Sequence, residues 1–245
     1  MSHPWGFMAN RLLYQLPAEE QSNWLPLLDR VELQQGQILY EADTALPYVF
    51  FPTSATVSLM YMMENGAQAE VAEIGNEGLI GMSALLGGKA TPGLAVVQST
   101  GQAWRLSKVD LQHQLEENSP AWRLFSRYTL SLIAHIAQTS ACNRLHSTEQ
   151  RFCRWLLTTA DSRQTSEVLV TQQQIANRLG VRRETITACA LKLQARNLIH
   201  YRRGRIAIRD HERLAQNSCE CYEVIKHRYD ALLCSTKAET IPSEA

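Results

Sequence analysis

Apolar positions divide the chain into three textures. From about Asn10 to Leu28, the residues Leu12, Leu13, Leu16, Trp24, Leu27 and Leu28 fall at roughly helical intervals, with Pro17 as a break. After Val31 the pattern shortens to runs rich in Val, Ile, Tyr, Phe and Thr at 37–40, 48–51, 56–62, 68–74, 95–99 and 102–106. Gly, Pro, Asn and Asp separate these runs, and Glu64-Asn65-Gly66 between two of them is a strong signal for a tight hairpin. Short, evenly spaced strands of this kind predict an antiparallel barrel or sandwich. Glycines at 75, 78, 81, 87 and 88 mark backbone that needs unusual angles or close approach.

The third texture is helical. Ser119 as N-cap and Pro120 at the first helical position open a long helix with no further Pro or Gly before Gly180. Along it Trp122, Phe125, Tyr128, Leu132, Ile136 and Leu145 recur at mostly three- to four-residue steps. A helix of that length outgrows a small barrel, so a second copy of the chain is the economical cover for this stripe. On that reading Leu132 and Ile136 sit in a dimer interface. A second helix spans 147–160, carrying Phe152, Trp155 and Leu156, and 161–167 reads as a polar loop.

Charge adds a division of labour. The net charge is zero, yet residues 1–120 carry 5 Lys/Arg against 13 Asp/Glu, and residues 121–245 carry 19 against 11. From Arg178 to Arg209 there are nine basic residues and one acid, Glu184. A basic half on an acidic half points to a polyanion as one partner. No stretch is apolar and long enough to cross a bilayer, and residues 1–20 lack the pattern of a secretory signal. All six cysteines (142, 153, 189, 219, 221 and 234) lie in the second half and do not suggest a disulfide framework, so a reducing cytoplasm is expected.

The informative stretch is 171–189. Thr171 with Gln174 makes a capping box for a short helix, Ala176 is small where a second helix must cross, and Gly180 permits a left-handed turn. Ile186 and Cys189 supply the inner face of the next helix. Ala-x3-Gly-x5-Ile-x2-apolar is the spacing of a DNA-binding helix-turn-helix, whose second helix keeps its outer face free for the major groove. That face starts with Arg182, Arg183, Glu184, Thr185 and Thr187. Arg182, Arg183, Glu184 and Thr187 are the candidate base readers, while Thr171, Thr185 and Lys192 are candidate phosphate contacts. Leu191, Leu193, Leu198 and Ile199 read as core. Tyr201 to Ile208 then reads as two strands around Gly204, a basic wing whose Arg202, Arg203 and Arg205 would hold phosphates.

Taken together, the glycine-rich acidic barrel, the long helix and Arg183-Glu184-Thr185-Ile186 after Leu179-Gly180-Val181 resemble the Crp/Fnr superfamily of bacterial transcription regulators over about residues 10–210. The resemblance implies an α+β chain. A cyclic-nucleotide-binding-like sensor, an antiparallel β-barrel of jelly-roll type, would occupy 1–118, a dimerisation helix 119–146, a winged helix-turn-helix 147–210 and a helical tail 211–245. It implies DNA, a second copy of the chain and RNA polymerase as partners, with Arg183 and Glu184 in the family's base-reading positions. A second family Arg falls here on Ala188.

The effector pocket of the family would fall on Gly78, Gly81, Met82 and Leu85. The family's ribose-binding carboxylate is replaced by Met82, and its phosphate-binding Arg by something near Pro92. A cyclic phosphate then lacks its guanidinium, unless Lys89 or Arg105 substitutes, and cyclic AMP is not expected to bind. Iron–sulfur members need cysteines near the N-terminus, where residues 1–141 have none. A haem would need His3 or His113, the second of which reads as a surface residue. No cofactor is therefore expected.

The tail holds four potential metal ligands, His211, Cys219, Cys221 and His227. If 212–233 is one helix, residues two apart point about 200° apart, so Cys219 and Cys221 diverge and pack rather than bind metal. Cys142 and Cys153 are likewise expected to pack. No phosphate-binding loop, nucleophile elbow or His-Glu-x-x-His motif is present, and Glu19/Glu20 and Glu116/Glu117 read as helix-end charges, so the chain is not expected to be an enzyme. The rival to a regulator is an interaction protein with a degenerate barrel and a basic docking surface. A regulator keeps a large sequence-specific gap under salt titration, and a docking protein does not.

Overall fold

In the computed structural model, residues 9–66, 68–88, 90–91, 93–115, 119–163 and 165–234 are described. His3, Lys89, Pro92, Glu116, Glu117, the side chain of Cys234 and part of the tail lie outside them.

The opening helical pattern resolves into α1 (Arg11–Tyr14) and α2 (Ala18–Trp24), followed by a 3-10 turn at Leu25–Leu27, with Pro17 as the break. Asn10 starts α1. Its side chain accepts from Leu13 N–H and donates to the carbonyls of Pro52 and Gly78, at 2.8 and 2.9 Å, so it joins this segment to the sheets.

Seven strands follow: β1 (Asp29–Leu33), β2 (Ile38–Tyr40), β3 (Tyr48–Pro52), β4 (Thr56–Met62), β5 (Gln68–Ile74), β6 (Leu94–Ser99) and β7 (Gly101–Ser107). They form two antiparallel sheets, β1-β7-β3 and β2-β6-β4-β5. Leu33, Phe51 and Leu106 from one sheet and Val57, Ile74 and Val97 from the other share one buried core. The architecture is the expected jelly-roll type, but the sheets stay separate, a sandwich and not a closed barrel. Between β5 and β6 lies α3 (Met82–Leu85), and α4 (Lys108–Gln114) follows β7.

The long helix α5 runs Pro120–Leu145. Ser119 accepts from Trp122 N–H at 3.1 Å, and Glu20 accepts from Ala121 N–H at 3.2 Å, so two side chains satisfy its first turn. Most of the expected dimer stripe packs instead on the chain's own body. Phe125, Tyr128 and Leu132 are fully buried in the sandwich core, and Ile136 packs against it. Exposed on α5 are Leu130, Ile133 and Leu145, at 67%, 52% and 75%, with Ala137 and Ala141 between them. Periodicity located an apolar face correctly but not what covers it.

Beyond α5 come α6 (Thr148–Arg163), β8 (Glu167–Leu169), α7 (Gln172–Leu179), α8 (Arg183–Ala195), β9 (Ile199–Arg202) and β10 (Arg205–Ile208), with a small sheet in the order β8-β10-β9. A second core of Phe152, Leu156, Ile175, Ile186, Leu193 and Ile206 holds them together. The single tail helix expected over 212–233 is two helices, α9 (His211–Gln216) and α10 (Cys221–Cys234). Amides of Asn217 and Ser218 close α9 with hydrogen bonds to Leu214 and Ala215, and α10 restarts from the Cys219 carbonyl. Cys219 lies in that joint and Cys221 opens α10, so the angular argument for their divergence fails.

Candidate nucleic-acid interface and sensor pocket

Both halves of the predicted capping box form: Thr171 accepts from Gln174 N–H at 3.2 Å, and Gln174 Oε1 accepts from Thr171 N–H at 2.9 Å. Gly180 ends α7 at φ 62°, a left-handed turn where a Cβ would be strained. The chain then re-enters helix at α8 with Ile186, Cys189 and Leu193 turned inward. This directs the N-terminal turn of α8 into solvent.

Arg182, Arg183, Glu184 and Thr185 are exposed there. Among the described residues, no side-chain hydrogen bond or ion pair holds Arg182, Arg183 or Glu184. Thr187 differs: it is half-buried, and its hydroxyl lies 2.8 Å from Gln172 Oε1 and 3.1 Å from the Arg183 carbonyl. Leu191, expected in the core, is 62% exposed on the outer face of α8 beside Ala188 and Lys192.

Arg203 and Gly204 turn β9 into β10, both at positive φ, 41° and 79°, as in a two-residue type I′ hairpin. Arg202, Arg203 and Arg205 are exposed on it. Arg205 pairs with Glu167 at 3.2 Å, and Lys192 lies 3.8 Å from Glu149. Both pairs are solvent-exposed at the cationic end and are worth little in free energy, so a phosphate can displace them.

Arg178 belongs to the basic segment in sequence but not in space. It is buried, with Nη1 2.7 Å from Glu73 and Nε 3.7 Å from Glu70 on β5. It also bonds Gln98, and its guanidinium lies 5.1 Å from the Trp155 ring centre. Arg163 approaches the same Glu73 at 3.9 Å. Burial pushes Glu70 above the usual carboxylate range against the pull of Arg178. No sequence signal separates this arginine from its solvent-facing neighbours, because only the fold places β5 opposite α7.

In the sandwich, a Cβ at Gly78 would collide with the Tyr128 hydroxyl and ring from α5. That hydroxyl donates to the Leu79 carbonyl at 3.0 Å. Gly81 sits at φ 101° before α3, Met82 is half-buried, and Leu85 belongs to the core. The four residues expected to line an effector pocket are thus gathered at α3, with Tyr128 filling the space over Gly78. Arg105, a possible phosphate partner, is 2.8 Å from Asp29 and stacks on Tyr48. A separate cavity of about 200 Å³ lies where Glu73, Glu77, His135, Asp161, Tyr222 and Tyr229 meet.

Residues 150–217 match the family model of the Crp-like helix-turn-helix domain, and residues 30–118 match that of the cyclic nucleotide-binding domain. The chain belongs to the Crp/Fnr superfamily. It is a Crp/Fnr-like transcription regulator carrying both domains. Solved Crp/Fnr-type structures share its fold. FixK2 from Bradyrhizobium japonicum superposes with a TM-score of 0.68 at 14% identity, covering 78% of this chain and 98% of that one. The c-di-GMP responsive global regulator CLP of Xanthomonas campestris gives 0.65 at 15%, covering 78% and 99%. The regulator TTHB099 of Thermus thermophilus gives 0.62 at 18%, also covering 78% and 99%. No curated protein sequence matches this Crp/Fnr member. No helix among its described residues is long and apolar enough to cross a membrane.

Proposed function

We propose that the protein reads a two-fold-symmetric operator as a homodimer, with α8 in the major groove and the β9–β10 hairpin on the backbone. The observation that carries this is the exposed, unpaired start of α8. Arg183 there can lie bidentate on the O6 and N7 of a guanine, and Glu184 can accept from a cytosine amino group. Arg182 and Thr187 are further base readers, Thr187 after leaving Gln172. Thr171, Thr185, Lys192, Arg202, Arg203 and Arg205 hold phosphates, which set register without carrying sequence. Ala188 and Leu191 continue the same face without polar reach, so contacts beyond the first turn come from thymine methyls or from DNA shape.

In this reading residues 1–118 sense, 119–146 dimerise, 147–210 read DNA and 211–245 are the tail, in the cytoplasm and in contact with RNA polymerase. The dimer seam is the outer line of α5 through Leu130, Ile133, Ala137 and Ala141, whose small residues allow close helix approach. An effector entering at Gly78, Gly81, Met82 and Leu85 has to displace Tyr128. That would couple the pocket directly to α5. The buried Arg178 pairs join α7 to the sensor sheet, so movement of β5 reaches the reading helices.

A salt titration of binding to operator and to scrambled duplex tests the reading. A gap of about 10³-fold or more between the two at physiological salt is the expected result. Equal affinities with the same salt slope would contradict it.

A further inference from the structure

Four side chains from distant parts of the sequence converge at the end of α5: Cys142 and His146, one helical turn apart, Cys219 in the α9–α10 joint, and Cys221, the first residue of α10. Their sulfur and nitrogen ligand atoms all lie within 4.8 Å of one another. Cys142 Sγ is 3.5 Å from Cys219 Sγ, and Cys221 Sγ is 3.6 Å from His146 Nδ1. We infer that these four residues form a Cys3His site for a single thiophilic divalent ion, zinc being the natural occupant. This goes beyond the DNA-reading proposal and does not depend on it.

The spacing matches the ion. With zinc–sulfur bonds of about 2.3 Å and zinc–nitrogen bonds of about 2.0–2.1 Å, a tetrahedral site has sulfur–sulfur edges of about 3.8 Å and sulfur–nitrogen edges of about 3.5 Å. The Cys142–Cys219 and Cys221–His146 separations already fall near those edges. A space this small leaves no room for the inorganic core of an iron–sulfur cluster between the ligands. Three thiolates and one imidazole are also the donor set that soft, tetrahedral zinc prefers.

Supporting contacts point the same way. His146 Nε2 lies 3.2 Å from Glu220 Oε2, so the carboxylate holds the ring with Nδ1 facing Cys221. Gln138 Nε2 donates to Cys221 Sγ at 3.0 Å. The buried Arg151 and Arg154 place positive charge against Cys142, which suits a site left with one net negative charge by three thiolates and a dication. His211 and His227, the tail histidines that the sequence offers as ligands, stand elsewhere, beside Asp161 and Glu223.

The site's place gives the ion its role. His146 ends α5, and α6, the first helix of the reading domain, starts at Thr148. An ion there ties the tail to the joint between α5 and the helix-turn-helix part, and so restrains the angle at which α7 and α8 are presented.

The test is metal analysis of the full-length chain purified under reductant without added chelator, followed by stripping and titration with Co²⁺ and Zn²⁺. About one zinc per chain is expected, with visible absorption of a tetrahedral thiolate site on cobalt uptake. Cys219→Ser and Cys221→Ser should lose the ion, whereas Cys153→Ser and Cys189→Ser should retain it. Glu220 is exposed, so Glu220→Gln keeps the fold and should weaken zinc affinity about 10- to 100-fold. Stripped, reduced wild type that takes up neither ion overturns the inference, as does uptake left unchanged in Cys219→Ser and in Cys221→Ser. Recovery of only a Cys142–Cys219 disulfide on removing reductant would point to a thiol pair in place of a metal site and overturns it too.

Discussion

Arg178 Nη1 on α7 stands 2.7 Å from Glu73 Oε2 on β5, both side chains almost completely buried. A helix of the DNA-reading half is thereby fixed to the edge strand of the sensor sheet by charge held away from water. Each ion gives up much hydration on burial, and the pair holds because Glu70, Arg163 and Gln98 complete the network.

Replacing one partner leaves the others poorly compensated. Arg178→Met should cost about 3–5 kcal/mol in denaturant unfolding, because Glu70 and Glu73 would stay buried with only Arg163, 3.9 Å from Glu73, as a remaining cation. Arg178→Met with Glu73→Gln should recover part of that loss, the sign of direct coupling. A cost under about 1 kcal/mol for the single variant would mean that the contact carries no weight.

The dimer should depend on the outer line of α5. Leu130→Glu with Ile133→Glu would place charge in the proposed seam, so sedimentation should show a monomer with the wild-type unfolding transition and much weaker operator binding. Leu132→Glu should unfold the chain instead, since Leu132 is fully buried in the sandwich core. A double variant that stays dimeric would move the interface elsewhere.

His135 supplies a dependence on pH. Burial, with Arg154 nearby, pushes its pKa down to about 3, and its Nδ1 meets the Tyr229 hydroxyl at 3.2 Å. In the unfolded chain the ring titrates at about 6.5, so below that pH the unfolded state binds a proton that the fold refuses. The stability from this site is complete above about pH 6.5 and is lost as pH falls toward 3. Glu77 lines the same cavity, and burial raises its pKa, which works in the opposite direction, so the comparison has to be made between variants. Wild-type Tm should fall more steeply than that of His135→Gln between about pH 7 and about pH 5. Parallel curves would show that the histidine is not buried neutral.

Much of this architecture can be read from local chemistry. β4 and β5 occupy 56–62 and 68–74 as the strand-forming runs predict, α5 begins at its Ser119-Pro120 signal, and Gly180 turns where the helix-turn-helix requires. Four features escape such reading. β1 carries Asp29, Arg30 and Glu32 and pairs on one side only, with β7, so its hydrophobic signal is weak. The α9–α10 joint contains neither Gly nor Pro, and nothing local announces it. Arg178 and the Cys142–His146 pair gain their partners from segments about 75 to 105 residues away, beyond the reach of any local pattern. Periodicity puts Leu132 on the apolar face of α5, and only the packed sandwich shows that the chain itself covers that face and leaves Leu130 exposed.

The central claim is that Arg183 reads a base. Wild type, Arg183→Ala and Arg203→Ala should be compared for binding to a library of randomised half-sites across a range of salt. Arg183→Ala should cost about 1–3 kcal/mol per half-site and relax the preference at one base pair. Arg203→Ala should weaken all sequences about equally and reduce the salt slope by roughly one ion per half-site. If Arg183→Ala keeps every wild-type base preference and loses only overall affinity, Arg183 is a phosphate contact and the proposed docking of α8 is wrong.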